Sequence, residues 1–133
     1  MRLHKDAKTE LIRSIPLFAG CNAAEISEVA AIADELDLRE GRHLTDEHAD
    51  GREFVVIISG TAAVIKGEEQ VNTLGPGEWF GEIAVMTGQP RTATVLATSD
   101  VHALVIEGHR FTTLLSHAPD IRAKIEKVMA ERA

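Results

Sequence analysis

Gly75-Pro-Gly-Glu-Trp-Phe-Gly-Glu-Ile-Ala-Val-Met-Thr-Gly-Gln-Pro-Arg-Thr-Ala-Thr-Val95 is the stretch around which the chain is organised. Two glycine-proline turns bracket a short apolar segment that carries one acid, Glu82. Arg91 follows the second turn directly, and a strand-like run resumes at Ala93. Gly81 permits a close backbone approach, and the residues after it predict one short helical turn. The N-terminus of such a turn offers free N–H groups and partial positive charge, which suits a phosphate. Arg91 adds a fixed cation with fork geometry. Glu82, acceptor-only when ionised, suits hydroxyls instead. An anion seat with an acid beside it reads as a site for a sugar phosphate.

The 133 residues suit a single domain, residues 1–133, with a core of useful size. With one Trp, four Phe and no Tyr, that core must be aliphatic. The net charge of −7 argues against nucleic-acid binding, which needs a basic face. Any anionic ligand must therefore be held by local groups. The single cysteine, Cys21, excludes an internal disulfide and fits a reducing compartment. It precedes a helix, and a small residue at a helix entry is the plainer reading than a low-pKa thiol. No apolar run reaches the ~20 residues of a membrane span, and Met-Arg-Leu-His-Lys-Asp at the start lacks a secretory apolar region. The expected location is cytoplasmic.

Residues Lys5 to Ile15 predict a short helix, ended by Pro16. Asn22-Ala-Ala-Glu25 has the chemistry of a capping box, so a second helix follows and ends near Asp34. From Glu35 the period changes to that of strands. Phe54-Val-Val-Ile-Ile58 predicts a buried strand, and glycine turns at Gly60 and Gly67 separate two more. Short strands at even spacing indicate an antiparallel, jelly-roll-like β-roll. After Ile106 the period becomes helical again, over Gly108 to Ser116 and from Pro119 onward. The fold class is α+β: N-terminal helices over 1–34, a β-roll of about eight strands over 35–107, and two C-terminal helices over 108–133. Ile121, Ile125, Val128 and Met129 form one stripe that packs on the roll or pairs with a second copy.

Phe80 to Val95 resembles the phosphate-binding cassette of cyclic-nucleotide-binding domains, the family of protein kinase A regulatory subunits and the bacterial catabolite activator protein. Pro16-Leu-Phe-Ala-Gly20, Gly51 to Gly60 and Pro119-Asp-Ile121 are similar to other segments of that family, so the resemblance spans nearly the whole chain. It implies that Glu82 accepts from the ribose 2′-hydroxyl and that Arg91 pairs with the cyclic phosphate. Backbone N–H groups near Gly81, Ile83, Ala84 and Ala93 would cradle phosphate oxygens. Thr92 would add a hydroxyl, Val71 and Leu74 would line the base pocket, and Arg132 falls where an arginine approaches the base. The implied ligand is cAMP, with cGMP permitted by Thr92, and no cofactor is implied. An effector protein would receive the signal through the C-terminal helices.

Two departures stand out. The acidic turn Thr45 to Asp50 lacks a glycine common in relatives, and it is expected to lie far from the ligand. The final helix stops at Ala133, with no DNA-reading module after it, so direct DNA binding is not expected. Two other readings remain: a degenerate interaction domain that has kept the cassette without binding, and a cupin-type metal enzyme. The second is weak, because the six histidines are scattered with no ligand spacing. No catalytic constellation is visible, and catalysis is not expected.

Overall fold

The computed structural model describes residues 5–132. His4 and Ala133, and the start of the chain read for a leader, lie outside the described residues. The chain runs α1 (Lys5–Ser14), a short 3-10 turn (Pro16–Phe18) and α2 (Ala23–Ile32) into eight strands. These are β1 (Ala33–Leu38), β2 (His43–Thr45), β3 (Glu53–Ser59), β4 (Ala62–Lys66), β5 (Glu69–Leu74), β6 (Trp79–Phe80), β7 (Thr94–Ala97) and β8 (Val101–Glu107). A short helix, α3 (Glu82–Thr87), interrupts them between β6 and β7, and α4 (Gly108–Leu115) and α5 (Pro119–Arg132) close the chain.

All strand pairs are antiparallel, in two four-stranded sheets ordered β1-β8-β3-β6 and β2-β7-β4-β5. The α+β β-roll expected from the sequence is the fold observed. β3 shows why it holds together. Its residues alternate faces: Val55 and Ile57 point into the roll with Leu74, Phe80 and Val95, whereas Phe54 and Val56 point to the helices. A strand covered on both faces reads as a continuous apolar run, which explains Phe54-Val-Val-Ile-Ile58. Phe54 stacks on Phe111 of α4, ring centroids 4.0 Å apart, and so fixes the C-terminal helices to the sheet.

Asn22 caps α2 as its chemistry requires. Its side chain accepts from Glu25 N–H at 2.8 Å, and the Glu25 carboxylate accepts from Asn22 N–H at 2.9 Å. β1 begins at Ala33, two residues before the expected change of period at Glu35, because Ala33 is already extended and pairs with Ile106 of β8. Of the α5 stripe, Ile121 and Ile125 are fully buried in the domain's own core, while Val128 and Met129 remain half-buried.

Candidate functional site

The Gly75–Val95 stretch sets α3 between β6 and β7 in the chain, against β3, α4 and α5. Gly81 caps α3 with φ +96°, a conformation that glycine adopts without strain. A side chain there would also collide with the carbonyl of Glu53. The residues that carry the first N–H groups of α3, which have no acceptor inside the helix, line a cavity of about 280 Å³. That volume lies near the lower end for small-molecule sites.

Arg91 is the most informative residue of the cavity. Its side chain is only 6% exposed. Nη2 donates to the Glu53 carbonyl at 2.9 Å and lies 3.4 Å from Glu53 Oε2. Nε and Nη1 are buried with no hydrogen-bond partner among the described residues. Burial pulls its pKa below the usual value, opposed by the charges of Glu53 and then Glu82. A buried, partly paired cation of this kind is costly for a fold unless an anion joins it. The surrounding backbone is shaped to it: a side chain at Gly51 would strike Nε, and one at Gly81 would strike Nη1.

The acidic turn of residues 45–50, expected far from the ligand, lies against this site instead. His48 N–H donates to the Arg91 carbonyl and Arg91 N–H donates to the Ala49 carbonyl, both at 2.9 Å. Glu47 ties the same turn to the β4–β5 hairpin, accepting from Gly67 N–H at 2.7 Å, and Thr45 lines the cavity. Pairing between segments more than forty positions apart has no local sequence signal.

Glu82 is 1% exposed, at the first position of α3. Its Oε1 forms an ion pair with Arg132 Nη1, and Arg132 Nη2 donates to the Trp79 carbonyl at 2.6 Å. Arg132, expected near a base, is thus committed to the acid expected to meet a ribose. Because a carboxylate has two oxygens and several lone pairs, the pair leaves room for a further hydroxyl donor.

All ten residues singled out in the sequence border this one cavity: Val71 and Leu74 on β5, Gly81 through Ala84 at the start of α3, Arg91 through Ala93 before β7, and Arg132 at the end of α5. The sequence reading missed Val64, Lys66, Asn72, Phe80, Val95 and Glu131. Alternation along β4 carries the signal for Val64 and Lys66, while Glu131 needs the path of α5. Trp79 packs against the helix-side core.

The described histidines do not gather. His43 pairs with Asp46, His48 lies near Glu47, His102 sits between Glu35 and Asp37, and His117 bonds Glu28. Among the described residues no group of three or more His, Cys, Asp or Glu side chains is placed to hold a metal. No helix among them is long and apolar enough to cross a membrane. Burial and the charges of Glu25 and Asp120 push the Cys21 thiol pKa up, the opposite of activation.

The cavity thus brings together the buried arginine and the acid on α3. The family model for the cyclic nucleotide-binding domain matches residues 35–118, and the chain belongs to that family. It is 33% identical over 104 residues to a cAMP-dependent protein kinase regulatory subunit of Hypocrea atroviridis, covering 78% of this chain and 22% of that protein. It is 30% identical over 123 residues to a cyclic nucleotide-gated potassium channel of Rhizobium etli, covering 92% of this chain and 34% of the channel. The fold is that of the regulatory domain of Toxoplasma gondii PKA in a co-crystal structure with cAMP: TM-score 0.85, 22% identity, covering 96% of this chain and 50% of that one. The chain therefore spans between about a fifth and a third of the length of these curated relatives.

Proposed function

We propose that this chain is a cyclic-nucleotide sensor that holds a 3′,5′-cyclic purine nucleotide in the cavity and reports it through α4 and α5. The single observation that carries this reading is Arg91: a cavity-lining residue whose buried guanidinium leaves Nε and Nη1 without a partner. A cyclic phosphate carries one negative charge and supplies acceptors for both groups. The N–H groups at the start of α3 and the backbone of Ala93 would take its remaining oxygens. Glu82 would accept a ribose hydroxyl beside its pair with Arg132. Thr92 would add a hydroxyl to the same wall. cAMP, the ligand of the Toxoplasma relative, is expected to bind, and cGMP is accommodated as well.

The output route follows from the same contacts. α3 packs against α4 and α5, and the Glu82–Arg132 pair joins the phosphate seat directly to the last turn of α5. A ligand that draws on Glu82 changes the seat of Arg132, and so gains a different affinity for two positions of α5. The receiver would be an effector protein or a second copy of the chain, in a reducing, cytoplasmic setting. Hydrogen exchange with and without nucleotide tests the route, and unchanged protection over residues 108–132 refutes it.

A second reading has one observation in its favour. Arg132 already holds the acid that a ribose would need, as in a domain that keeps the fold for protein contacts alone. Calorimetric titration with cAMP and cGMP separates the two. Heat that saturates at one site and disappears in Arg91→Ala supports the sensor. No binding at millimolar nucleotide supports the interaction domain.

A further inference from the structure

The β4–β5 hairpin is not regular where it borders the cavity. Val64 pairs with Asn72, but the next residue, Ile65, pairs with Gln70, which leaves Val71 without a partner. This is a one-residue β-bulge, a device that re-aims side chains beside binding sites. In a regular strand Val71 and Asn72 would point to opposite faces. Here both border the cavity, with Leu74 beyond them. Val71 is the large apolar residue the fold leaves half exposed, a flat surface for the face of a purine. Asn72 then meets the edge of that purine.

The orientation of the Asn72 amide is set by its own backbone. Its Oδ1 accepts from Thr73 N–H at 2.8 Å, so the NH2 end is the one presented to a ligand. Lys66, further along the same wall, offers only donors as well. Glu131 reaches the cavity from α5 and, ionised, offers only acceptors. The sheet wall thus donates, while on α5 Glu131 accepts beside Arg132, which is already paired with Glu82. Guanine presents two adjacent acceptors, O6 and N7, on one edge, whereas adenine presents the N7 acceptor beside the N6 amino donor. Guanine also keeps its N1–H and N2 amino donors together on the opposite side, where a carboxylate suits them.

We infer that Asn72, placed by the Val71 bulge, is the base-reading residue of this cavity and ranks 6-oxopurine cyclic nucleotides ahead of cAMP. The inference rests on the sensor reading above. Asn72 is exposed on an outer strand, and Asn72→Asp keeps an oxygen for Thr73 N–H while replacing the free donor by an acceptor. The test is competitive binding of cGMP, cIMP and cAMP to the wild-type chain and to Asn72→Asp. The readout is the ratio of affinities, in which the uniform effect of the new charge cancels. The expected wild-type preference for cGMP and cIMP over cAMP is roughly two- to tenfold, the worth of one hydrogen bond, and Asn72→Asp abolishes or reverses it. cIMP lacks the N2 amino group, so a further advantage of cGMP over cIMP reports Glu131. Nucleotides that bind without this preference, or a ratio unchanged in Asn72→Asp, overturn the inference and leave the sensor reading intact. No binding by any of the three overturns both.

Discussion

Replacing Arg91 with methionine separates what this residue does for the fold from what it does for a ligand. In the free protein the guanidinium has one good bond, to the Glu53 carbonyl, against two buried donors with no partner. Each unmade buried bond costs about 1–3 kcal/mol, and a made bond to a charged group contributes about 1.5–3 kcal/mol. For two unmade bonds the cost, about 2–6 kcal/mol, somewhat exceeds the gain, and methionine fills similar volume without desolvating a charge. Arg91→Met is therefore expected to leave the free protein as stable as wild type or more stable by about 1–2 kcal/mol, a pattern known for buried ions replaced by apolar side chains. For a chain of this length the melting point moves by roughly 3–5 °C per kcal/mol. Binding behaves in the opposite way. Losing two charge-assisted bonds to a phosphate removes about 3–6 kcal/mol, or roughly two to four orders of magnitude in affinity. The assay is thermal unfolding with and without nucleotide. At a hundred times the wild-type Kd, linkage stabilises the wild type by about 2.7 kcal/mol and the variant by less than about 0.5 kcal/mol. A variant that keeps the wild-type shift refutes the assignment of Arg91 to the anion. A free variant destabilised by more than about 2 kcal/mol refutes the claim that its burial is a cost to the fold.

Four further outcomes follow from the same structure. Gly81→Ala combines a positive φ with a collision against the Glu53 carbonyl, so it should lose at least about 2 kcal/mol in urea unfolding. Gly67→Ala, also at positive φ but with open space around it, should lose only about 1 kcal/mol, the left-handed penalty alone. Arg132→Ala strands the buried carboxylate of Glu82. Because Arg132 is itself 26% exposed, the expected loss is about 1–2 kcal/mol, below that for a fully buried pair, with faster hydrogen exchange in the last turn of α5. Glu107 caps α4, and the N–H groups of His109 and then Arg110 hold its carboxyl below its ordinary value of 4.5. A depressed folded pKa contributes stability above the unfolded value that is lost as pH falls through the folded one. Unfolding measured from pH 6 to pH 2 should show this loss below about pH 4.5, and Glu107→Gln should be less acid-sensitive over that range.

What was legible in the sequence was whatever had a local cause. The Asn22–Glu25 capping box, the doubly covered β3, the buried half of the α5 stripe and the turn–helix–turn around Glu82 each follow from residues a few positions apart. The two-residue β6 was hidden, because Trp79 and Phe80 are too few to show a period, and only pairing with Val55 and Val56 makes them a strand. The acidic turn was misplaced because its partner, the backbone at Arg91, is far away in the chain. Arg132 was placed near the cavity, but its ion pair with Glu82 was not legible, since it spans fifty positions. Asn72 was missed for a subtler reason. Strict alternation allows only one of Val71 and Asn72 to face the site, and the bulge that admits both is a feature of register, which single-strand patterning does not contain.

The central claim is that Arg91 is held buried and incompletely paired for the sake of a cyclic phosphate. Isothermal titration of the wild-type chain and Arg91→Ala with cGMP and cAMP tests it most directly. The account predicts one saturable site on the wild type and at least a hundredfold weaker binding by the variant, about 2.7 kcal/mol or more. Equal affinity in the two proteins, or no binding to the wild type at millimolar nucleotide, would contradict it.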